Sequence, residues 1–189
     1  MSVHPLSYFD GMYADNPDPW GFDRRPYERR KQDLTIAALP AGRHFARAVE
    51  PGCANGALTA RLVEVCDEVI AFDPIASCVE RATDRLDGTN ARIQQGQLPT
   101  AWPDATVDLV VLSEVAYYLD TAAQEQLDAA MARSMTDDGI LVAVHWTGPT
   151  NYPRMGEEVH AHLDTLPWLE RLTSLVDPQF VLDVWQVQR

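Results

Sequence analysis

Short apolar runs separated by stretches of helical spacing constrain this chain more than any other feature. "FARAVEP" and "EVIAFDP" are brief apolar runs that end in an acid followed by proline, while "TVDLVVLSE" and "ILVAVHW" are almost continuously apolar. Runs without alternating polar positions suit strands buried on both faces, as in a parallel sheet. Between them Leu58, Leu62, Val65 and Cys66 recur at helical spacing, and Ile75, Val79, Ala82 and Leu86 share one helix face. "ARIQQG" reads as a more polar strand. Thr121 and Gln124 fit a capping box that opens a helix running to about Ser134, and Gly139 ends the connection before "ILVAVHW". "ERLTSLVD", the turn Asp177-Pro178 and "FVLDVWQVQ" read as a hairpin. The expectation is an α/β fold: a doubly wound, mostly parallel, Rossmann-like sheet of seven strands with a C-terminal antiparallel hairpin.

A chain of 189 residues suits one domain, 1–189. Its first 26 residues hold turn formers and aromatics without clean periodicity, and are expected to be ordered but irregular. The pattern turns helical from about Pro26 to Leu39, so 1–45 form a lid and first helix and 46–189 the core. With 28 acids against 15 bases, the net charge of −13 repels phosphate backbones and argues against a nucleic-acid partner. No apolar run approaches the roughly 18 residues that cross a bilayer. Three cysteines without C-x-x-C spacing and no signal-peptide pattern point to a cytoplasmic protein with reduced thiols, no membrane partner and no metal. Oligomeric state has no sequence signal.

In such sheets ligands bind beyond the carboxyl ends of the strands, which directs attention to "VEPGCANG" after the first run. A dinucleotide fingerprint would place glycine at the first, third and sixth positions from Gly52, where this chain has Gly52, Ala54 and Ala57. No G-K-[ST] follows, so a P-loop is excluded. Instead Glu50 precedes Gly52, Gly56 follows, and Asp73 lies 21 residues beyond Gly52, where an acid accepts ribose hydroxyls. A carboxylate beside the turn suits a ligand with an ammonium and no phosphate. S-adenosylmethionine has that chemistry.

The stretch "VEPGCANGALTARL" followed by "EVIAFDP" resembles the first two motifs of class I S-adenosylmethionine-dependent methyltransferases. With "DPWGFDRRPYERRK", "DLVVLSEVAYYL" and "VHW" in order, the chain from about Tyr13 onward is similar to the NodS-like subfamily, whose namesake N-methylates the free amine of a deacetylated chitooligosaccharide. Ala54 departs from the glycine or other small residue usual there. The resemblance implies S-adenosylmethionine as cofactor, S-adenosylhomocysteine as product, and a cofactor site that runs through Glu50, Gly52, Cys53, Ala54, Gly56, Asp73, Pro74, Ile75, Gln97, Leu98 and Ser113. Gln97 stands where an acid often meets the adenine amino group, and Ile75 packs against adenine. Trp20 and Tyr27 wall the site, and Lys31, one turn past Tyr27, meets the cofactor's carboxylate or lies on a solvated basic face.

The candidates for chemistry are Glu114, Tyr117 and His145, which lie at the ends of the fourth and fifth strands. Glu114 holds or deprotonates an incoming ammonium, or only anchors its loop. One of Tyr117 and Tyr118 is expected in the core, and the other offers an aromatic face to a cation. His145, near neutral in its ordinary pKa, is either a general base or a structural histidine. His160 and His162 point different ways from a helix, which disfavours a shared metal. "NPDPW" only partly matches the N-P-P-Y motif of nucleic-acid amino-methyltransferases. The expected reaction is methyl transfer to a small-molecule amine. The alternatives are an O-methyltransferase that uses His145 as base and a non-catalytic module that binds the cofactor, with a dehydrogenase further behind.

Overall fold

The apolar runs pair side by side. The computed structural model describes residues 6–189, so the first five residues of the expected 1–45 segment lie outside it. In chain order the elements are α1 Leu6–Asp15, α2 Pro26–Ala37, β1 Ala48–Pro51, α3 Thr59–Leu62, β2 Val69–Asp73, α4 Ala76–Arg85 and β3 Ala91–Gln95. They continue with β4 Val107–Ser113, a 3-10 turn over Ala116–Tyr118, α5 Thr121–Ser134, β5 Met135–Trp146, α6 Gly156–Leu163, β6 Leu169–Val176 and β7 Phe180–Val187. The seven strands form one sheet in the order β3-β2-β1-β4-β5-β7-β6. All neighbours are parallel except β7, which runs against both β5 and β6.

Period-two alternation distributes the apolar side chains to two layers. Val49, Val110, Leu112, Leu141 and Ala143 pack beneath α5 and α6 through Leu127, Met131, Val159 and Leu163. Ala48, Leu109, Val111, Ile140, Val142 and Val144 pack on the other face with Leu62 of α3 and Ala82 of α4. The edge strands β3 and β6 are largely exposed, which explains why "ARIQQG" is polar. Strand order reverses between β1 and β4, and that reversal opens a crevice at their carboxyl ends.

Four local expectations need correction. Residues 6–15 form a helix with only Tyr13 buried, so no apolar stripe advertised it. Its support is aromatic: Phe9 packs edge-on to Tyr118 and Tyr13 against Trp20. The segment after Gly56 keeps only one helical turn, α3, before Phe45 and Cys66 bridge in parallel. The cap of α5 is Asp120, whose carboxylate accepts from Ala123 N, while Gln124 is buried and donates to Asp128. Gly139 lies inside β5, where an irregularity sets Met135 to Ile140 against only Val107 to Leu109 of β4.

Gly56 closes the β1–α3 turn at φ 76°, and a Cβ there would meet Leu86 Cδ1 at 3.1 Å and Ala82 Cβ at 3.2 Å. Gly42 has a similar φ of 73° with nothing within 4 Å. Gly42→Ala should therefore cost about 1–2 kcal/mol from backbone strain alone. Gly56→Ala should cost roughly 1–3 kcal/mol more, because α4 must shift as well. Urea unfolding of the two variants measures the difference.

Candidate active site

The crevice is built from the β1–α3 turn upward. Gly52, at φ 71°, donates its N–H to Phe72 O at 2.7 Å and leaves no room for a Cβ, since Val115 from the loop after β4 would lie 3.1 Å away. Ala54 also takes a positive φ of 47°, in the strained left-handed region, so alanine performs here the turn for which the family resemblance suggests glycine. The turn is bound to the second strand by Asp73. Its two carboxylate oxygens accept from Ala54 N at 3.0 Å and Ile75 N at 2.9 Å.

Both acids at this end are buried without a cation. Burial lifts the Asp73 carboxyl to about 6 against the two backbone N–H groups that favour its charge. Burial lifts Glu50 to about 8, opposed by a 2.6 Å hydrogen bond from Thr59 Oγ1 and reinforced by the charge of Asp73.

The N-terminal segment covers the turn. Asp23 accepts from both terminal nitrogens of Arg85 on α4, at 2.8 and 2.5 Å, and from Asn55 of the turn at 3.3 Å. Gln32 donates to Phe22 O and accepts from Arg61. Trp20, Phe22, Tyr13 and Phe9 pack about Ala54 and Ile75 at this end of the crevice.

At the other end stands a buried charge cluster that joins α2 to the loop after β4. Lys31 Nζ lies 2.6 Å from Glu114 Oε1 and 3.1 Å from Glu28 Oε2. Burial pulls the Lys31 ammonium down, but Glu114 and Glu28 outweigh it and hold its pKa above the ordinary lysine range. Glu114, itself at φ 56°, accepts further hydrogen bonds on Oε2 from Tyr117 Oη at 2.6 Å and Trp146 N at 3.0 Å. Burial drives the Tyr117 hydroxyl well above its usual pKa, with Glu114 reinforcing it, so Tyr117 is a neutral donor.

His145 does not face the crevice, contrary to expectation. It is fully buried and does not line the cavity. Ala116 N–H donates to its Nε2 at 3.2 Å, so the ring proton sits on Nδ1 and points to His160 Nε2 at 3.0 Å. That leaves His160 Nδ1 to donate to Asp183 Oδ2 at 2.6 Å. Burial, then His160 and the charge of Lys31, keep His145 well below the ordinary histidine pKa. With both nitrogens engaged inside the protein, no lone pair of His145 is turned to a ligand. His162 points elsewhere, to Asp128 at 2.7 Å.

The crevice encloses a cavity of about 520 Å³. Every residue expected at the site lines it except two: His145, and Gly56, whose missing side chain instead makes room for α4. Sequence reasoning missed Glu28, Arg25, Asn55, Tyr152 and Gln179 among the lining residues. Glu28 had a readable signal, since it lies one turn before Lys31 on the same helix face. Tyr152 and Gln179 had none, being brought in by the loops beyond β5 and before β7.

The lining holds four acids, Glu28, Glu50, Asp73 and Glu114, against two bases, Arg25 and Lys31. Lys31 is already neutralised by two carboxylates. A pyrophosphate would meet four acids against two bases here, whereas a nucleoside with cationic groups and no phosphate meets a carboxylate oriented by two backbone N–H groups in Asp73 and, in Glu50, a carboxyl held by Thr59 with no ion-pair partner among the described residues. The residues present fit S-adenosylmethionine.

Comparison with known proteins agrees with this reading of the fold. Residues 12–141 match the family model for nodulation protein S (NodS). Nodulation protein S of Rhizobium tropici is 29% identical over 128 residues, which cover 66% of this chain and 53% of that protein. The chain thus spans about half the length of this curated relative. A candidate methyltransferase of known structure from Pseudomonas syringae is 41% identical, with a TM-score of 0.75 over 86% of this chain and 99% of that one. The N-methyltransferase NodS from Bradyrhizobium japonicum WM9, crystallised with S-adenosyl-L-homocysteine, shares the fold at a TM-score of 0.85 and 20% identity, over 96% of this chain and 98% of that one.

Two predictions test this geometry. A carboxyl whose folded pKa is raised favours the protonated fold, so its contribution is complete below the unfolded value of about 4.3 and is lost as pH rises through the folded one. For Glu50 that window runs up to about 8. The Tm of the ligand-free protein should fall across pH 5–8 more steeply in the wild type than in Glu50→Gln, which keeps the Thr59 hydrogen bond without the titration. His160→Ala leaves the Asp183 carboxylate buried without its partner, and should cost about 3–5 kcal/mol in urea unfolding.

Proposed function

The chain belongs to the nodulation protein S family, and on that premise we propose that it is an S-adenosylmethionine-dependent methyltransferase whose acceptor is a small-molecule amine. The observation that carries the reading is the charge and shape of the crevice: an aromatic-walled cavity at the strand reversal lined by four acids against two bases, with Asp73 oriented by two backbone N–H groups. When bound, S-adenosylmethionine supplies an electrophilic methyl group on a sulfonium.

The protein's own part is to bind, orient and exclude water. Asp73 receives the ribose hydroxyls, and Ile75, Pro74, Gln97 and Leu98 frame the adenine. Gly52, Cys53 and Ala54 give the backbone surface of the turn, with Ser113 at its edge. Glu50 faces the cationic end of the cofactor. The aromatic cover from Phe9 to Phe22, bound to α4 by Asp23 and Arg85, keeps that end dry. Holding donor and acceptor close and aligned is the main source of rate in such a transfer. Glu114 anchors the wall between the two ends: three donors from α2, the 3-10 turn and β5 converge on it. The O-methyl reading relied on His145 as its base, and His145 is enclosed.

S-adenosylhomocysteine at about 100 times its Kd should add roughly 2.7 kcal/mol and raise Tm by roughly 5–10 °C. NAD should give no shift, and Asp73→Ala should abolish the one with S-adenosylhomocysteine. A shift with NAD instead would overturn the reading.

A further inference from the structure

With His145 enclosed and most of Glu114 occupied, a second carboxylate, Glu28, lines the same cavity. Glu114 accepts from Lys31 on one oxygen and from Tyr117 and Trp146 on the other. Three of the roughly four lone-pair positions of a carboxylate are thus filled. Glu28 is only 5% exposed and lines the same cavity. Its Oε2 is buried without a hydrogen bond, because Lys31 approaches it at 3.1 Å as an ion pair and not as an aligned donor. Beside it the Tyr27 hydroxyl is also buried without a hydrogen-bond partner. A buried carboxylate oxygen and a buried hydroxyl left unpaired are costly, and both are relieved by a ligand that brings N–H or O–H donors.

Charge decides which donor. Glu28, Lys31 and Glu114 together sum to −1 in a largely buried cluster, offset in part by Arg25 of the same lining, so a ligand that brings positive charge suits it better than a neutral hydroxyl. The surroundings then describe the rest of the ligand. Tyr117, Tyr118, Trp146 and Tyr152 line this end, and faces of that kind favour a flat or apolar body attached to the amine.

We infer that Glu28 is the carboxylate that seats the ammonium of the acceptor amine, with the Tyr27 hydroxyl as its neighbour; the inference rests on the methyltransferase reading above. Seating there also prepares the nitrogen. The ammonium proton passes to Glu28 Oε2, the N–H electron pair stays on nitrogen as its lone pair, and Glu28 becomes a neutral acid. Burial raises the Glu28 carboxyl against the opposing charge of Lys31, which favours its taking a proton. Glu50, at the far end of the cavity, is left to serve the cofactor's own cationic end.

The test is isothermal titration of benzylammonium chloride and of benzyl alcohol into protein saturated with S-adenosylhomocysteine. The wild type should bind benzylammonium about tenfold more tightly than benzyl alcohol, as one charge-assisted hydrogen bond implies. Glu28→Gln should reduce that preference to about twofold or less while it keeps the affinity for S-adenosylhomocysteine within about twofold. Tyr27→Phe should weaken benzylammonium alone, by about threefold. Equal binding of the two probes by the wild type, or a preference that survives Glu28→Gln, overturns the inference. So does a tenfold loss of S-adenosylhomocysteine affinity in Glu28→Gln, which would assign the carboxylate to the cofactor. A wild type that fails to bind S-adenosylhomocysteine overturns the methyltransferase reading itself, and the inference with it.

Discussion

One half-buried carboxylate, Glu114, ties together parts of the chain that would otherwise have no reason to meet. It stands at the carboxyl end of β4 with a positive φ of 56°, which turns its side chain toward the crevice. From there it gathers Lys31 of α2, Tyr117 of the 3-10 turn and the backbone of Trp146 at the end of β5. Removing a charge from water is unfavourable unless partners replace the water, and here three donors do so. The N-terminal cover, the 3-10 turn after β4 and the central strands therefore share one anchor. The strained backbone of Glu114 and of Ala54 sits on opposite walls of the same crevice, where local strain is tolerated because the surrounding sheet over-determines it.

The two ends of the crevice differ in how they treat charge. At the β1–β2 end, Glu50 and Asp73 are buried without cations, and burial lifts both carboxyls. That is a poor arrangement for an empty protein and a good one for a ligand that carries positive charge. At the β4–β5 end the charges are paired internally around Lys31, and only Glu28 has an oxygen left over. Beneath this wall, Asp183, His160 and His145 form a closed sequence of hydrogen bonds that ends on Ala116 N. It holds the loop after β4 from below with every proton assigned. Its contribution to the site is rigidity.

The fold was legible because its strands are buried on both faces. Continuous apolar runs such as Leu109 to Leu112 and Ile140 to Val144 admit few other readings, and the terminal hairpin announced itself through Asp177-Pro178. The β1–α3 turn was legible for a related reason: a tight turn restricts residue types, so Gly52 and the following acid, Asp73, carry information at short range. What escaped was structure maintained by distant partners. Helix α1 has no apolar stripe of its own and is held by rings from residues 20 and 118. The Thr121 cap was displaced by one residue because Asp120, whose carboxylate accepts from Ala123 N, takes the role.

The sequence by itself determined the sheet, its doubly wound order and the location of the ligand crevice, since burial on both faces and the β1–α3 turn are local properties of the chain. Only the tertiary structure decided which side chains at that crevice are free to act. His145, at the end of a strand, looked available and is enclosed by Ala116 and His160. Glu28, on a helix that looked like a solvated basic face, is buried beside Lys31 with an oxygen that has no hydrogen bond among the described residues. The difference is physical: strand and turn patterns are written in neighbouring residues, whereas the state of an ionisable group depends on which donors and charges the folded chain brings within about 3 Å of it.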